Sequence, residues 1–150
     1  MKNKIDSILE DLNSNQELKA DTLIEYADSF IEVPNEIAKA PYPESHKIPA
    51  CESEAYAFYK VNPDQTIKFY FAVTNPQGIS AKAFAVILDE GFSNQNLNDI
   101  VNSDPDIVKK VFGNSVSMGK GLGLNSMLGV VKTIAQNNMN NNMNKTETET

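Results

Sequence analysis

Two residues with distinctive chemistry lie close together in this chain: His46 and Cys51 are its only histidine and its only cysteine. Four prolines come shortly before the thiol: Pro34, Pro41, Pro43 and Pro49. Proline fixes φ and biases the residue before it towards an extended backbone, so we predict a loop here rather than a helix. A strand-like run begins at Tyr56. The thiol is therefore predicted to lie where a surface loop enters a sheet, a position in which scaffolds commonly present reactive groups.

A single thiol excludes several kinds of site. A zinc site needs four ligands, mostly cysteine and histidine, and an iron–sulfur cluster takes several thiolates. A Cys-x-x-Cys redox pair is excluded as well. One accessible thiol can still attack an electrophile, or accept a group and pass it on. A lone cysteine is also commonly a small buried hydrophobic side chain, so a thiol-inert interaction module remains an alternative.

A Cys/His acyl-transfer hydrolase is the second alternative, and it would need a general base and an oxyanion hole. His46 and Cys51 are separated by a contour of about 16 Å on an extended chain, so only a folded-back turn would bring them together. A negative charge on Glu52 near the sulfur would oppose the thiolate, whereas Lys120 or a protonated His46 would favour it.

The composition is that of an ordinary soluble globular protein, with 41% hydrophobic and 22% charged residues in a chain of 150. The formal charge of −7 argues against nucleic acid and anionic membrane as partners. A single cysteine excludes an internal disulfide and favours a reducing compartment. The chain has no apolar run of about 18 residues and no signal-peptide pattern. We therefore expect a cytoplasmic protein without a membrane segment.

Hydrophobic spacing predicts two helices in the first part of the chain. The first has an apolar face made of Ile5, Ile8, Leu9 and Leu12. A capping box at Ser14 and Glu17 is predicted to open the second helix, which would end at Val33 before a proline.

Two strands are predicted after the cysteine, Tyr56 to Val61 and Thr66 to Val73. The second alternates between apolar and polar residues, as expected for a strand with one buried face. The intervening turn from Asn62 to Gln65 predicts an antiparallel hairpin. Residues Ile48 to Ala50 are a candidate third strand.

The rest of the chain is predicted to be mainly helical. Ser80 would cap a buried helix from Ala81 to Glu90, which Gly91 would end in C′ fashion. A short helix follows around Leu97 to Val101, and Asp104 with Pro105 would begin another that Gly113 ends. The remaining segments are a glycine-rich loop at 114–123, an amphipathic helix at 124–135 and a disordered tail at 136–150. We thus predict a single α+β domain over residues 1–135, with a small antiparallel sheet covered by helices.

Five segments of the chain together resemble the SufE family. They are Tyr26–Phe30, Pro41–His46, Ala50–Tyr56, Asn75–Ala83 and Ser117–Leu122. The most specific part is a small residue, Cys51, any residue and Ser53, followed by an aromatic. Family members commonly have glycine where this chain has Ala50 and tryptophan where it has Tyr56. A family arginine near the last helix matches Lys120, and lysine cannot replace its bidentate geometry.

The resemblance implies an IscU-like fold and a role in iron–sulfur cluster assembly. Cys51 would accept sulfane sulfur as a persulfide from a PLP-dependent cysteine desulfurase, stimulate that enzyme and pass the sulfur on to an iron–sulfur scaffold complex. Lys120, His46, Ser53 and Glu52 would be supporting residues. The chain would itself be a carrier and activator rather than an enzyme, and it would hold no cofactor because PLP belongs to the partner.

Overall fold

The computed structural model describes residues 3–114 and 116–149, and the side chains as far as residue 142. A hairpin of two strands is packed against helices, and a 3₁₀ turn at Glu44–His46 precedes it, so the predicted α+β class is confirmed. The helices and strands are, in order, α1 Lys4–Asn13, α2 Lys19–Asp28, β1 Ala55–Val61, β2 Ile67–Val73, α3 Ile79–Phe92, α4 Leu97–Val101, α5 Ile107–Phe112 and α6 Met118–Glu149.

The two strands pair antiparallel, in a register that places Ala55 opposite Val73 and Val61 opposite Ile67. The predicted alternation of β2 is confirmed, because its four odd-numbered residues are buried in the main core: Ile67, Phe69, Phe71 and Val73. The other face supports a smaller apolar cluster that includes Val33, Tyr56, Phe58 and Ala72.

The predicted third strand is not formed within the described residues. The segment before Cys51 instead makes one isolated bridge, between Lys47 and Tyr56. The N–H of Ile48 donates to the carbonyl of Ala55 at 2.8 Å. One bridge is enough to fix the entry to the cysteine loop against β1, although it does not extend the sheet.

Helix α3 is the central helix, as its apolar composition predicts, and Phe84, Ile87 and Leu88 on it are fully buried. The prediction that Gly91 ends this helix is wrong. Gly91 lies inside α3, where a side-chain carbon would come within 2.6 Å of Cδ1 of Ile5. The glycine therefore allows α1 to pack closely on α3.

Three predicted caps are also wrong. The hydroxyl of Ser14 donates to the carbonyl of Asp11 behind it, and α2 begins at Lys19 without a capping side chain. Gly78, not Ser80, is the N-cap residue of α3. Helix α5 begins two residues after Pro105, because Oδ1 of Asp104 accepts from the N–H of Asp106 and forms a turn.

Helix α2 ends at Asp28, five residues before the predicted end at Val33. The chain then runs along the outer edge of β2. The N–H of Val33 donates to the carbonyl of Phe71 at 2.9 Å, and Oε1 of Glu32 accepts from the N–H of Val73 at 2.9 Å. Pairing with the sheet edge therefore replaces further helical hydrogen bonds.

Helix α6 is longer than predicted at both ends. It begins at Met118, so more than half of the predicted glycine-rich loop is helical. It also continues to Glu149 through the segment predicted to be a disordered tail at 136–150, and this prediction needs correction. Met139 packs against the main core there, and Nδ2 of Asn138 donates to the carbonyl of Ile134. Within the described part of the chain, no helix is both long and apolar enough to span a membrane.

Candidate functional site

Cys51 lies in a tight turn between the bridge at Lys47 and the start of β1. Ile48, three residues before it, is 1% exposed and anchors the loop in the main core. On the other side, the N–H of Glu54 donates to the carbonyl of Cys51 at 3.3 Å. Cys51 itself is a free cysteine of intermediate exposure. Its sulfur is therefore presented on a short loop that is fixed at both ends.

The backbone on both sides of the thiol is in the left-handed region. Ala50 has φ of 60° and Glu54 has φ of 50°. This conformation is unfavourable for residues with a Cβ, and it persists only where the surroundings impose it. Glycine adopts this φ without a steric penalty, so it is the residue that the backbone at position 50 would favour.

Helix α6 packs directly on the cysteine loop, and two glycines make this possible. A side-chain carbon at Gly123 would lie 2.9 Å from the carbonyl oxygen of Ala50 and 3.0 Å from Cα of Cys51. At Gly119 it would lie 2.9 Å from Oε1 of Glu52. Residues four apart share one face of a helix, so these two glycines give the loop a flat surface of backbone.

The turn before α3 closes the loop from the other side. A side-chain carbon at Gly78 would lie 3.0 Å from Oγ of Ser53 and 2.9 Å from Cγ1 of Val73. The N–H of Asn75 donates to the carbonyl of Ser53 at 3.3 Å. The sequence prediction treated Gly78 as a turn residue and the α6 glycines as loop, so it missed their role in packing. The four-residue spacing of Gly119 and Gly123 was the available signal.

A small open cavity of about 40 Å³ lies over the thiol. One water molecule needs roughly 10–15 Å³ of such a cavity, so the space admits very few atoms. Cys51 shares its lining with Glu52 and Ser53 on the loop and with Lys120 on α6. The structure therefore brings together four of the five residues predicted for the site.

His46 is not among the described residues that line this cavity. Its Nδ1 lies 3.1 Å from the carbonyl of Ala57 and donates to it. The imidazole stacks on Phe58, with 4.7 Å between ring centroids, and lines a separate cleft with Tyr59. A Cys/His hydrolase would need this ring as a base beside the sulfur, and the observed position does not favour that alternative.

Large apolar side chains are exposed on α3 and α6, the two helices that help to line the cysteine cavity. Ile79 lines the cavity and is 55% exposed. Met118 and Leu122, in the first turns of α6, are 85% and 61% exposed. Ile79 is thus exposed apolar surface at the cavity itself, and such surface can mark a site of protein contact. The residues that the structure describes contain no group of three or more histidine, cysteine, aspartate or glutamate side chains that could hold a metal ion.

Comparison with known proteins gives a family and a fold. Residues 6–135 match the family model SufE, described as an Fe-S metabolism associated domain. A search of curated proteins gives no significant match. Among solved structures, the chain is similar to the solution structure of a hypothetical protein from Thermus thermophilus. The TM-score is 0.72 at 20% sequence identity, and the alignment covers 91% of this chain and 96% of the other.

Proposed function

The chain belongs to the SufE family, which associates it with Fe–S metabolism, and on that premise we propose that it carries sulfur on Cys51. In this proposal, Cys51 accepts persulfide sulfur from a PLP-dependent cysteine desulfurase, which increases the turnover of that enzyme. The carrier then delivers the sulfur to an iron–sulfur scaffold complex. The observation that carries the proposal is the position of Cys51, which lines an open cavity on a loop fixed at both ends.

The transfer is a thiol exchange that needs no outside oxidant or reductant. The thiol of Cys51 first loses a proton to solvent. Its thiolate then attacks the terminal sulfur of the desulfurase persulfide, forming a new S–S bond while the enzyme's own S–S bond breaks. The desulfurase cysteine leaves as a thiolate, and Cys51 holds the transferred sulfur. The rate of such an exchange depends on thiolate fraction, nucleophilicity and access.

Two charged residues of opposite sign line the same cavity as Cys51. Lys120 lines the cavity on α6 and would favour the negative charge of the attacking thiolate and of the product persulfide. Glu52 lies on the loop and would oppose it. Oγ of Ser53 lies 3.0 Å from where a side-chain carbon at Gly78 would be, and a serine hydroxyl can donate a hydrogen bond.

The exposed apolar surface around the cavity suits a transient complex with the desulfurase. Ile79, Met118 and Leu122 would be covered by the partner, which would exclude water while sulfur is exchanged. A small cavity beside the thiol would then shelter the persulfide between the two transfers. Persulfidation is a reversible modification of cysteine, so the sulfur can be handed on.

The proposal is tested by measuring desulfurase turnover with wild-type protein and with Cys51→Ser. The variant is expected to keep its circular dichroism spectrum and to lose its stimulation of the enzyme. Equal stimulation by both proteins would show that sulfur does not pass through Cys51.

A further inference from the structure

The outer edge of β2 is occupied along most of its length by other parts of the chain. Near its start, the carbonyl of Ile67 accepts from the N–H of Asn94 at 2.8 Å, and the N–H of Phe69 donates to Oγ of Ser93 at 2.9 Å. Near its end, the carbonyl of Phe71 accepts from the N–H of Val33. The N–H of Val73 donates to Oε1 of Glu32. Side chains and loop backbone thus replace a neighbouring strand.

Between these contacts, one backbone N–H and one backbone carbonyl on the same edge of β2 remain unpaired among the described residues. In the register of the hairpin, the odd-numbered residues of β2 direct their N–H and carbonyl groups away from β1. The carbonyl of Phe69 and the N–H of Phe71 have no hydrogen-bond partner among the described residues. These two groups flank Tyr70. One extended residue of a parallel strand could pair with both, because its N–H would donate to the carbonyl of Phe69 and its carbonyl would accept from the N–H of Phe71.

This gap faces a second cavity of about 400 Å³, which is within the usual size range of small-molecule sites. Phe69, Tyr70 and Phe71 form one wall. Two half-buried side chains provide apolar surface on other sides of the cavity. They are Phe30, in the segment that follows α2, and Val86, on α3. No described residue lines both this cavity and that of Cys51.

The charges around the cavity favour a cation. Its lining has three carboxylates, those of Glu32, Asp89 and Glu90, and one ammonium, that of Lys68. Nζ of Lys68 lies 2.5 Å from Oδ1 of Asp89, so these two charges neutralise each other. Glu32 and Glu90 then leave a net negative charge. The pKa of Glu32 is raised, chiefly by desolvation, which indicates that its carboxylate is partly removed from water.

We propose that this cavity binds a cationic amino-acid amide or a molecule of similar size that carries an amide, an apolar group and a positive charge. The carbonyl of the amide would accept from the N–H of Phe71, and the α-ammonium of the same residue would donate to the carbonyl of Phe69. The apolar group would pack between Phe30 and Val86, and the cation would lie near Glu90. A longer strand does not fit, because Val33 and Ser93 already take the adjacent positions on the edge.

The test uses L-phenylalaninamide as the probe, because it combines a primary amide, an aromatic ring and an α-ammonium group. The ¹⁵N-labelled full chain is titrated at about pH 6, where an α-ammonium is protonated, and backbone amide shifts are followed by NMR. Saturable shifts are expected at Phe69 to Phe71, largest for the N–H of Phe71. N-acetyl-L-phenylalaninamide lacks the cation and is expected to bind more weakly, and L-phenylalanine lacks the amide and is expected to bind more weakly still.

Two variants separate the parts of the site. Glu90→Gln is expected to weaken L-phenylalaninamide by up to about fivefold, the range of an exposed ion pair, and to leave the neutral probe unchanged. Glu17→Gln, on an exposed residue outside the cavity, is the matched control. Val86→Trp fills the cavity and is expected to abolish binding of both probes.

Shifts that increase linearly without saturation would overturn the proposal, because they would mean that no probe binds at this edge. Equal responses to all three probes would also overturn it, because they would mean that neither the amide nor the cation is recognised. The result does not depend on the sulfur carrier function, because desulfurase stimulation is measured separately and Glu90→Gln is expected to leave it unchanged.

Discussion

Gly123 of α6 and Cys51 lie so close that a side-chain carbon on the glycine would be 3.0 Å from Cα of the cysteine. This contact fixes the height of the loop above the helix, and with it the depth of the cavity over the sulfur. The position of the thiol thus depends on a residue that has no side chain and that lies 72 positions later in the sequence.

Gly123→Ala is expected to push the cysteine loop away from α6. Overpacking at a close contact costs about 1–3 kcal/mol, and here the neighbours are backbone atoms of Ala50 and Cys51. We expect a lower free energy of unfolding in urea and slower persulfidation of Cys51.

Gly121→Ala and Gly129→Ala are the matched controls, because a side-chain carbon at either position meets nothing within 4 Å. Replacing glycine by alanine inside a helix stabilises it by up to about 1 kcal/mol. The packing role of Gly123 would be disproved if its alanine variant gained stability as the controls do.

Ala50→Gly is expected to relieve backbone strain beside the thiol. Left-handed φ costs an L-residue about 1–2 kcal/mol, whereas glycine adds about 0.5–1 kcal/mol of entropy cost on folding. The free energy of unfolding is therefore expected to equal that of the wild type or to exceed it by up to about 1.5 kcal/mol. Ala20→Gly, on an exposed residue of α2, should instead lose about 0.5–1 kcal/mol. An equal loss in both variants would contradict the strain at Ala50.

Lys120 and Glu52 are expected to change the rate of sulfur acceptance in opposite directions. Lys120→Gln removes a positive charge beside the sulfur and should slow persulfidation up to about fivefold, whereas Glu52→Gln should accelerate it by a similar factor. Added salt should reduce both effects. Lys109→Gln, on an exposed lysine of α5, is the control. Effects of the same sign at Lys120 and Glu52 would show that the local charges do not act in this way.

Asp104 is expected to make stability depend on pH in the acid range. Its hydrogen bond with Lys110 holds the pKa of Asp104 below its ordinary value of 3.8. A lowered folded pKa stabilises the fold above the unfolded pKa, and this contribution is lost as the pH falls through the folded pKa.

Asp104→Asn should therefore lower the free energy of unfolding at neutral pH, and this effect should shrink as the pH falls through the folded pKa of Asp104. Lys110→Gln should remove the same pH-dependent contribution. Because the pair is on the surface, raised salt should weaken the effect. A difference between wild type and Asp104→Asn that persists at acid pH would instead point to the turn at Asp106 as the cause.

The sequence predicted those features that depend on local pattern. The alternation in β2, the apolar stripe of α1 and the buried composition of α3 are each readable within about ten residues, and the structure confirms them. Helix ends were less predictable because distant contacts decide them. Helix α2 stops early since Glu32 and Val33 bind the edge of β2, about 40 residues further along the chain.

The same distinction applies to the site. The position of Cys51 on a loop before β1 was predictable, because prolines precede it and a strand-like run follows it. The contact of α6 with the loop was not, because glycines at 119, 121 and 123 resemble a flexible segment, and the structure shows that the first and the last of them face the cysteine loop. The helical start of α6 also brings Lys120 into the lining of the Cys51 cavity.

The most direct measurement of the central claim is mass spectrometry of the full chain after incubation with a cysteine desulfurase and free cysteine. The account predicts one added sulfur atom, located on the peptide that contains Cys51, removed by a reducing thiol and absent from Cys51→Ser. A chain that gains no sulfur while the desulfurase is active, or that gains it equally in Cys51→Ser, would contradict the account.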